Sequence, residues 1–156
     1  KIVRPFNIYG PRQSARAVIP SICIQILNGI NKIKLGNITT TRDLTFVKDT
    51  VNGFVEISKQ EKLNGESTNI GMNNEISIKD LVYKISQIMN RKIEIITDQD
   101  RIRPEKSEVS RLVCDNTKIT NLTNWKPKYN LEQGLKETID WIEKNKKLFK
   151  FEIYNK

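Results

Sequence analysis

Apolar residues recur at helical spacing in three separate stretches of this chain, and only short runs lie between them. Ile19, Ile22, Cys23, Ile26 and Leu27 form one stripe; Ile78, Leu81, Val82, Ile85, Ile88 and Met89 form a second; Leu135, Ile139 and Ile142 form a third. A stripe on one face of a helix must be buried against another element. The segments 1–7, 32–35, 67–71, 93–96 and 111–115 are brief and rich in β-branched residues, and glycine, proline or asparagine punctuates most of their ends, so they read as strands. Short strands alternating with helices make an α/β or α+β chain. The strands are too few and too scattered for a complete doubly wound sheet. The expectation is one unit over residues 1–156, part of a larger architecture.

Local chemistry places several boundaries. Pro20 suits the first turn of a helix over 17–28, which Gly29 ends. A helix over 50–60 carries Val51, Phe54, Val55 and Ile57, with Phe54 at a core-like position. Ser77 with Asp80 resembles a capping box with the shorter Asp in place of Glu or Gln, and Asn130 with Gln133 opens the last helix in the same way. Pro5 confines the first strand to an edge or a strand end. Residues 98–110 read as a polar, charge-dense loop.

Composition excludes some chemistry. The chain has no histidine, so a Ser-His-Asp triad, a histidine base and a His-ligated metal are all impossible within it. Cys23 and Cys114 fit no CxxC pattern and read as free thiols, Cys23 buried in an apolar run. No apolar run approaches the roughly 18–20 residues that span a bilayer, so no membrane association is expected and the setting reads as cytoplasmic. The first residue is Lys1 and not methionine, so the chain reads as cut from something longer. The net charge of +9 points to an anionic partner, but the lysines are dispersed and the basic tail 146–156 reads as a solvated face.

One stretch invites a binding role. Gly36-Asn37-Ile38-Thr39-Thr40-Thr41-Arg42-Asp43-Leu44-Thr45-Phe46-Val47-Lys48-Asp49 is a glycine turn with three hydroxyls, an Arg-Asp pair and a short apolar alternation. Arginine presents a rigid fork of donors that matches phosphate or carboxylate. The plainer reading is a surface loop in which Arg42 pairs with Asp43 or Asp49. From this stretch alone both readings stand. Asn7 sits where a strand gives out into the Gly10-Pro11 turn, at the sheet edge where open α/β proteins bind ligands.

The order of motifs resembles a known family. Arg4-Pro5-Phe6-Asn7-Ile8-Tyr9-Gly10-Pro11-Arg12, Ala17-Val18-Ile19-Pro20, the 36–49 stretch, Asn69-Ile70-Gly71, Arg103-Pro104 and Asp115 resemble the extended short-chain dehydrogenase/reductases. These are the NAD-dependent nucleotide-sugar epimerases and dehydratases, and the resemblance runs from residue 1 to about residue 145. It implies a C-terminal, substrate-binding portion, with residues 1–7 and 66–71 as strands that would join a missing Rossmann sheet. The family's G-x-x-G-x-x-G fingerprint and Tyr-x-x-x-Lys pair are not found in this sequence, and Tyr83-Lys84 is not that pair. NAD is therefore expected to be bound by the missing N-terminal half, the chain alone to be inactive, and the full-length protein to be a homodimer.

Residue by residue, the resemblance implies that Asn7 contacts the nucleotide sugar near its phosphates, that the backbone at Val18 and Ile19 runs along the nucleotide, and that Lys34 and Leu35 pack the base. It implies that Arg42 and Arg103 converge on the diphosphate, with Asp43 and Asp49 as scaffolding that holds the Arg42 loop and caps the following helix. The form Gly36-Asn37-x-Thr39-x-Thr41-Arg42-Asp43 and the string from Arg103 to Asp115 look closer to the N-acetylhexosamine nucleotide 4,6-dehydratases than to the 4-epimerases, the alternative. A reading from another class is a small basic nucleic-acid-binding module, which calls for clustered basic residues with exposed aromatics. The aromatics here fall largely at core-like positions.

Overall fold

Alternation settles the first paired strands. In the computed structural model, which describes residues 1–102, 104 and 108–149, Lys32 and Lys34 face outward while Ile33 and Leu35 are buried. The strands do not merge into one sheet. Among the described residues they form three two-stranded parallel ladders: β1 (Ile2–Pro5) with β6 (Ser67–Ile70), β2 (Ile8–Tyr9) with β5 (Thr45–Phe46), and β3 (Lys32–Leu35) with β8 (Glu94–Thr97). A fourth, three-stranded sheet has the order β7 (Ile76–Ser77), β4 (Thr41–Arg42), β9 (Arg111–Leu112), with β4 antiparallel to β7 and parallel to β9. Parallel pairing requires a crossover, and helices supply it between β1 and β6 and between β3 and β8. The class is the mixed α/β that the alternation predicts.

The helices are α1 (Val18–Leu27), α2 (Val47–Lys59), α3 (Ile78–Ile88), α4 (Thr117–Leu122) and α5 (Leu131–Lys144). Helix α1 runs to the expected end, where Gly29 takes φ 77°. Helix α5 opens with a complete capping box: Gln133 N donates to Asn130 Oδ1 and Asn130 N to Gln133 Oε1, each at 2.9 Å. The Ser77 cap on α3 is half of one. Its Oγ accepts from Asp80 N at 3.0 Å, but the Asp80 carboxylate takes the Ser77 hydroxyl at 2.6 Å. The Ser77 backbone belongs instead to the ladder with Thr41.

Helix α2 departs from expectation twice. It starts at Val47 rather than residue 50, directly after the two-residue β5. It also turns its other face to the interior. Asp49, Thr50, Gly53 and Ile57 are buried, whereas Val51, Phe54 and Val55 are exposed, Phe54 by 44%. The reason is packing: α2 lies on β1 and β6, with Gly53 against Ile70.

Two cores result. The larger joins α1, α3 and α5 through Ile22, Cys23, Leu81, Ile85, Leu135 and Ile139 and includes Tyr9 and Phe46; the smaller gathers Ile57, Leu63, Ile70 and Ile119 around Trp125. No helix among the described residues is long and apolar enough to cross a membrane. Both cysteines are free and buried. Burial pushes the Cys23 thiol up to about 12, and burial with the charge of Asp43 does the same to Cys114. Neither thiol is expected to react with a disulfide reagent at mildly alkaline pH until denaturant is added. Titration of either in the native protein would refute this.

Candidate functional site

Asp43 is the point at which distant segments meet. Its side chain is fully buried; Oδ1 accepts from Met72 N at 2.8 Å and Oδ2 from Cys114 N at 3.1 Å. Its own N–H donates to Leu112 O at 2.9 Å, and its carbonyl accepts from Asn7 Nδ2 at 2.9 Å. The end of β1, the end of β6 and β9 are thereby tied to one residue. Asp49 is equally committed, but elsewhere. It does not cap α2, whose N-cap is Phe46 without a side-chain bond. Its carboxylate accepts from Lys128 N at 2.8 Å and Tyr129 N at 3.1 Å, and its carbonyl from Trp125 Nε1 at 2.9 Å. Both aspartates are scaffolding.

Arg42 therefore pairs with neither. Its Nη2 lies 2.9 Å from Glu108 Oε1 and its Nη1 donates to Thr41 O at 2.7 Å. The two side chains are only 16% and 18% exposed, so the pair is screened far less than a surface bridge. β4, which carries Arg42, is the middle strand of its sheet and is held by Glu75. That carboxylate accepts from the Thr41 hydroxyl and from Arg111 Nε at 2.8 Å.

The Thr41 hydroxyl, then the Arg111 guanidinium, hold the Glu75 carboxyl below the ordinary glutamate value. A depressed folded-state value contributes stability that is present above the ordinary value and lost as pH falls through the depressed one. Acidification through that window is expected to speed amide exchange in the β7–β4–β9 sheet. A Glu75 carboxyl titrating at or above the ordinary value in an NMR titration would refute this.

Arg42 and Glu108 open onto a cavity of about 470 Å³. Asn7, Val18, Ile19 and Leu35 also line it, so five of the seven residues singled out in the sequence share one wall. Asn7 has given one amide hydrogen to Asp43; the other hydrogen and Oδ1 are not used by that bond. Lys34 is not on the wall. Alternation along β3 turns it outward, and its backbone is bonded by the Gln25 side chain, Oε1 accepting from Lys34 N at 2.9 Å. Arg103 lies outside the described residues.

The wall has further members that the sequence reading passed over, among them Gln13, Arg16, Thr40 and Arg101. Arg101 closes a short 3-10 turn, Gln99–Arg101, which Asp98 caps by accepting from Asp100 N at 3.1 Å; Arg101 Nε pairs with Asp98 at 3.2 Å. The spacing Asp98-x-x-Arg101 was the available signal, hidden in a loop dense with charge. The turn approaches the glycine of the 36–49 stretch so closely that a Cβ on Gly36 would lie 2.2 Å from Arg101 O. Gly36 is therefore needed for close approach and not only for a turn. Tyr83 and Lys84, on α3, do not line the cavity. The wall brings the guanidinium and amide groups of Arg42, Arg101 and Asn7 together with the apolar side chains of Val18, Ile19 and Leu35, which suits holding a ligand that is anionic at one end.

Comparison with known proteins agrees with that chemistry. The family model described as GDP-mannose 4,6 dehydratase matches residues 1–138. A UDP-N-acetyl-alpha-D-glucosaminuronate decarboxylase of Bacillus cytotoxicus is 35% identical over 146 residues, 90% of this chain and 45% of that protein. The dTDP-glucose 4,6-dehydratase of Bacillus anthracis, solved in complex with NAD, superposes with TM-score 0.79 at 32% identity, covering 93% of this chain and 45% of that one. The UDP-glucuronic acid 4-epimerase of Bacillus cereus, solved with UDP-glucuronic acid and NAD, gives TM-score 0.81 at 27% identity, covering 95% and 45%. The chain thus spans about half the length of the relatives it matches. With that match over most of its length, the chain belongs to the NAD-dependent nucleotide-sugar epimerase/dehydratase family of extended short-chain dehydrogenase/reductases.

Proposed function

We propose that this chain is the nucleotide-sugar-holding, C-terminal portion of an NAD-dependent nucleotide-sugar 4,6-dehydratase. The observation that carries the reading is the convergence of Arg42, Asn7, the start of α1 at Val18 and Ile19, and Leu35 on one cavity of about 470 Å³. That volume lies within the range of small-molecule sites, roughly 300–1,000 Å³. Arg42 supplies the fork for a diphosphate, which competes for it with Glu108. Asn7 adds an uncharged donor, and Leu35 the apolar surface for a base. Arg103 is the second arginine proposed for the diphosphate.

The preference for dehydration over 4-epimerisation rests on the form of the 36–43 string. Both activities occur among the relatives, and both need the same grip. The acid/base residues are proposed to lie outside this chain, as is the NAD site. Where strands run straight into helices here, from β5 to α2 and from β7 to α3, the junctions Thr45-Phe46-Val47 and Ile76-Ser77-Ile78 hold no glycine. A dinucleotide pyrophosphate needs a glycine turn there to reach the backbone, so these junctions do not fit it. NAD chemistry is proposed to enter only with the rest of the longer protein. The exposed Val51, Phe54 and Val55 of α2, together with a β1–β6 ladder that pairs with no further strand among the described residues, form the face we assign to packing against that N-terminal half.

Titration calorimetry of the chain with UDP, GDP and dTDP tests the reading. One of the three is expected to bind, and to compete with its own sugar conjugate. Failure of all three, with steeply salt-dependent binding of an oligonucleotide, would replace this function with the nucleic-acid one.

A further inference from the structure

One end of the molecule carries positive charge that its own carboxylates do not balance. Helix α5 ends at Lys144, and a 3-10 turn, Lys146–Leu148, follows it. Lys146 Nζ donates to Leu27 O at 2.8 Å, so this turn sits at the C-terminal end of α1. Just beyond Leu27, Asn31 O accepts from Glu94 N at 2.7 Å, and Lys32 stands opposite Glu94 in the β3–β8 ladder. Arg91 and Lys92 lead into β8 from the end of α3. Lys32, Arg91, Lys92, Lys144, Lys146 and Lys147 are thus gathered at one end, all exposed, with Glu94 and Glu143 as the acids of the same segments. Of the six, only Lys32 enters a salt bridge among the described residues, a loose one of 3.9 Å with Glu94.

Helix C-termini attract lysines through their partial negative charge, and Lys146 is accounted for in that way. That attraction fades within a turn of helix and leaves an apolar neighbour unexplained. Leu148 is 70% exposed, the highest value of any large hydrophobic side chain among the described residues. The turn that carries it is fixed on both sides. Leu148 N donates to Asn145 O at 2.9 Å, and the Phe149 ring meets Trp141 edge-on, centroids 6.2 Å apart. An apolar side chain held out beside lysines is the chemistry of a surface that enters a membrane headgroup layer while its cations meet anionic lipid.

We propose that this end of the molecule is a docking surface for an anionic lipid bilayer, with Leu148 entering the headgroup region and the basic side chains meeting lipid phosphates. The contact is peripheral and needs no spanning run. It leaves the cavity open, because the cavity is lined by the start of α1 at Val18 and Ile19 and by the end of β3 at Leu35. The basic surface is built on the opposite ends of those two elements. It also shares no residue with the α2 and β1–β6 face assigned to the N-terminal half, and it does not depend on the reading of the cavity. A nucleic acid fits less well, since no exposed aromatic belongs to this set to stack on a base.

Sedimentation of the chain with vesicles of phosphatidylcholine, alone and mixed with phosphatidylglycerol, tests this at low and moderate salt. Binding is expected to the mixed vesicles only, weakening as salt rises. Lys144→Gln combined with Lys147→Gln is expected to weaken it more than tenfold, at about fivefold per charge. Leu148→Ser is expected to weaken it by about tenfold. The same loss of charge elsewhere, Lys62→Gln combined with Lys126→Gln, is expected to leave it unchanged. All five side chains are exposed, so the fold does not depend on them. Equal binding to phosphatidylcholine alone means that the apolar face of α2 is responsible and overturns the proposal. Equal weakening by the two lysine pairs means net charge alone and also overturns it. So does an unchanged affinity for Leu148→Ser, no binding to either vesicle, or tighter binding to a single-stranded oligonucleotide than to the mixed vesicles.

Discussion

Asp43→Ala is expected to destabilise the chain by roughly 2–6 kcal/mol, because it strips the acceptor from two buried backbone donors at about 1–3 kcal/mol each. The donors are Met72 N and Cys114 N, at 2.8 and 3.1 Å, and the side chain that holds them has no exposed surface. Against a typical total of about 5–15 kcal/mol, that loss leaves little. Asp43→Asn is the informative companion. Its amide can accept from one donor, but its NH2 must face the other, so about half the loss is expected. Urea unfolding followed by circular dichroism measures both variants. A loss below about 1 kcal/mol for Asp43→Ala, within the ordinary spread of single substitutions, would show that these segments are held by something else.

Arg42→Ala is expected to weaken nucleoside diphosphate binding by about 10- to 100-fold, the equivalent of one or two charge-assisted hydrogen bonds. The fold should survive, since the β4 ladders are backbone bonds that the substitution leaves in place. Arg42→Lys separates charge from geometry. Lysine keeps the charge but not the planar fork, so an intermediate loss is expected. In the longer protein, affinity for NAD should not change. Equal loss of substrate and NAD affinity, or no loss of either, would remove Arg42 from the diphosphate. Glu108 complicates only the size of the effect, because the alanine variant leaves that carboxylate without its partner.

How far the sequence could be read follows from the range of each interaction. Helix α1, the start of α3 and the capping box of α5 depend on residues three or four apart, and these were legible. The ladder β3–β8 was half legible. Alternation defined the strand 32–35, but the same alternation turned Lys34 away from the cavity that Leu35 lines. Helix α2 misled because three apolar side chains, Val51, Phe54 and Val55, look like a core stripe. The face that packs on β1 and β6 contains Thr50, Gly53 and Asp49, whose burial depends on Ile70, Lys128 and Tyr129.

The candidate site divides in the same way. The sequence reading of Asp43 as scaffolding agrees with the bonds its carboxylate accepts from Met72 N and Cys114 N. The partner of Arg42 was not legible, since Glu108 lies 66 residues further on.

By itself, the sequence determined the mixed α/β class, the family and the absence of histidine chemistry, all of which follow from residue identity and short-range spacing. Only the tertiary structure decided which face of α2 is covered, what Arg42 holds, and that Asn7, Leu35, Gln13 and Arg42 share one cavity. Those are meetings of segments far apart in the chain. They depend on how hydrogen bonds and close packing are satisfied across the whole fold, and no local pattern encodes that.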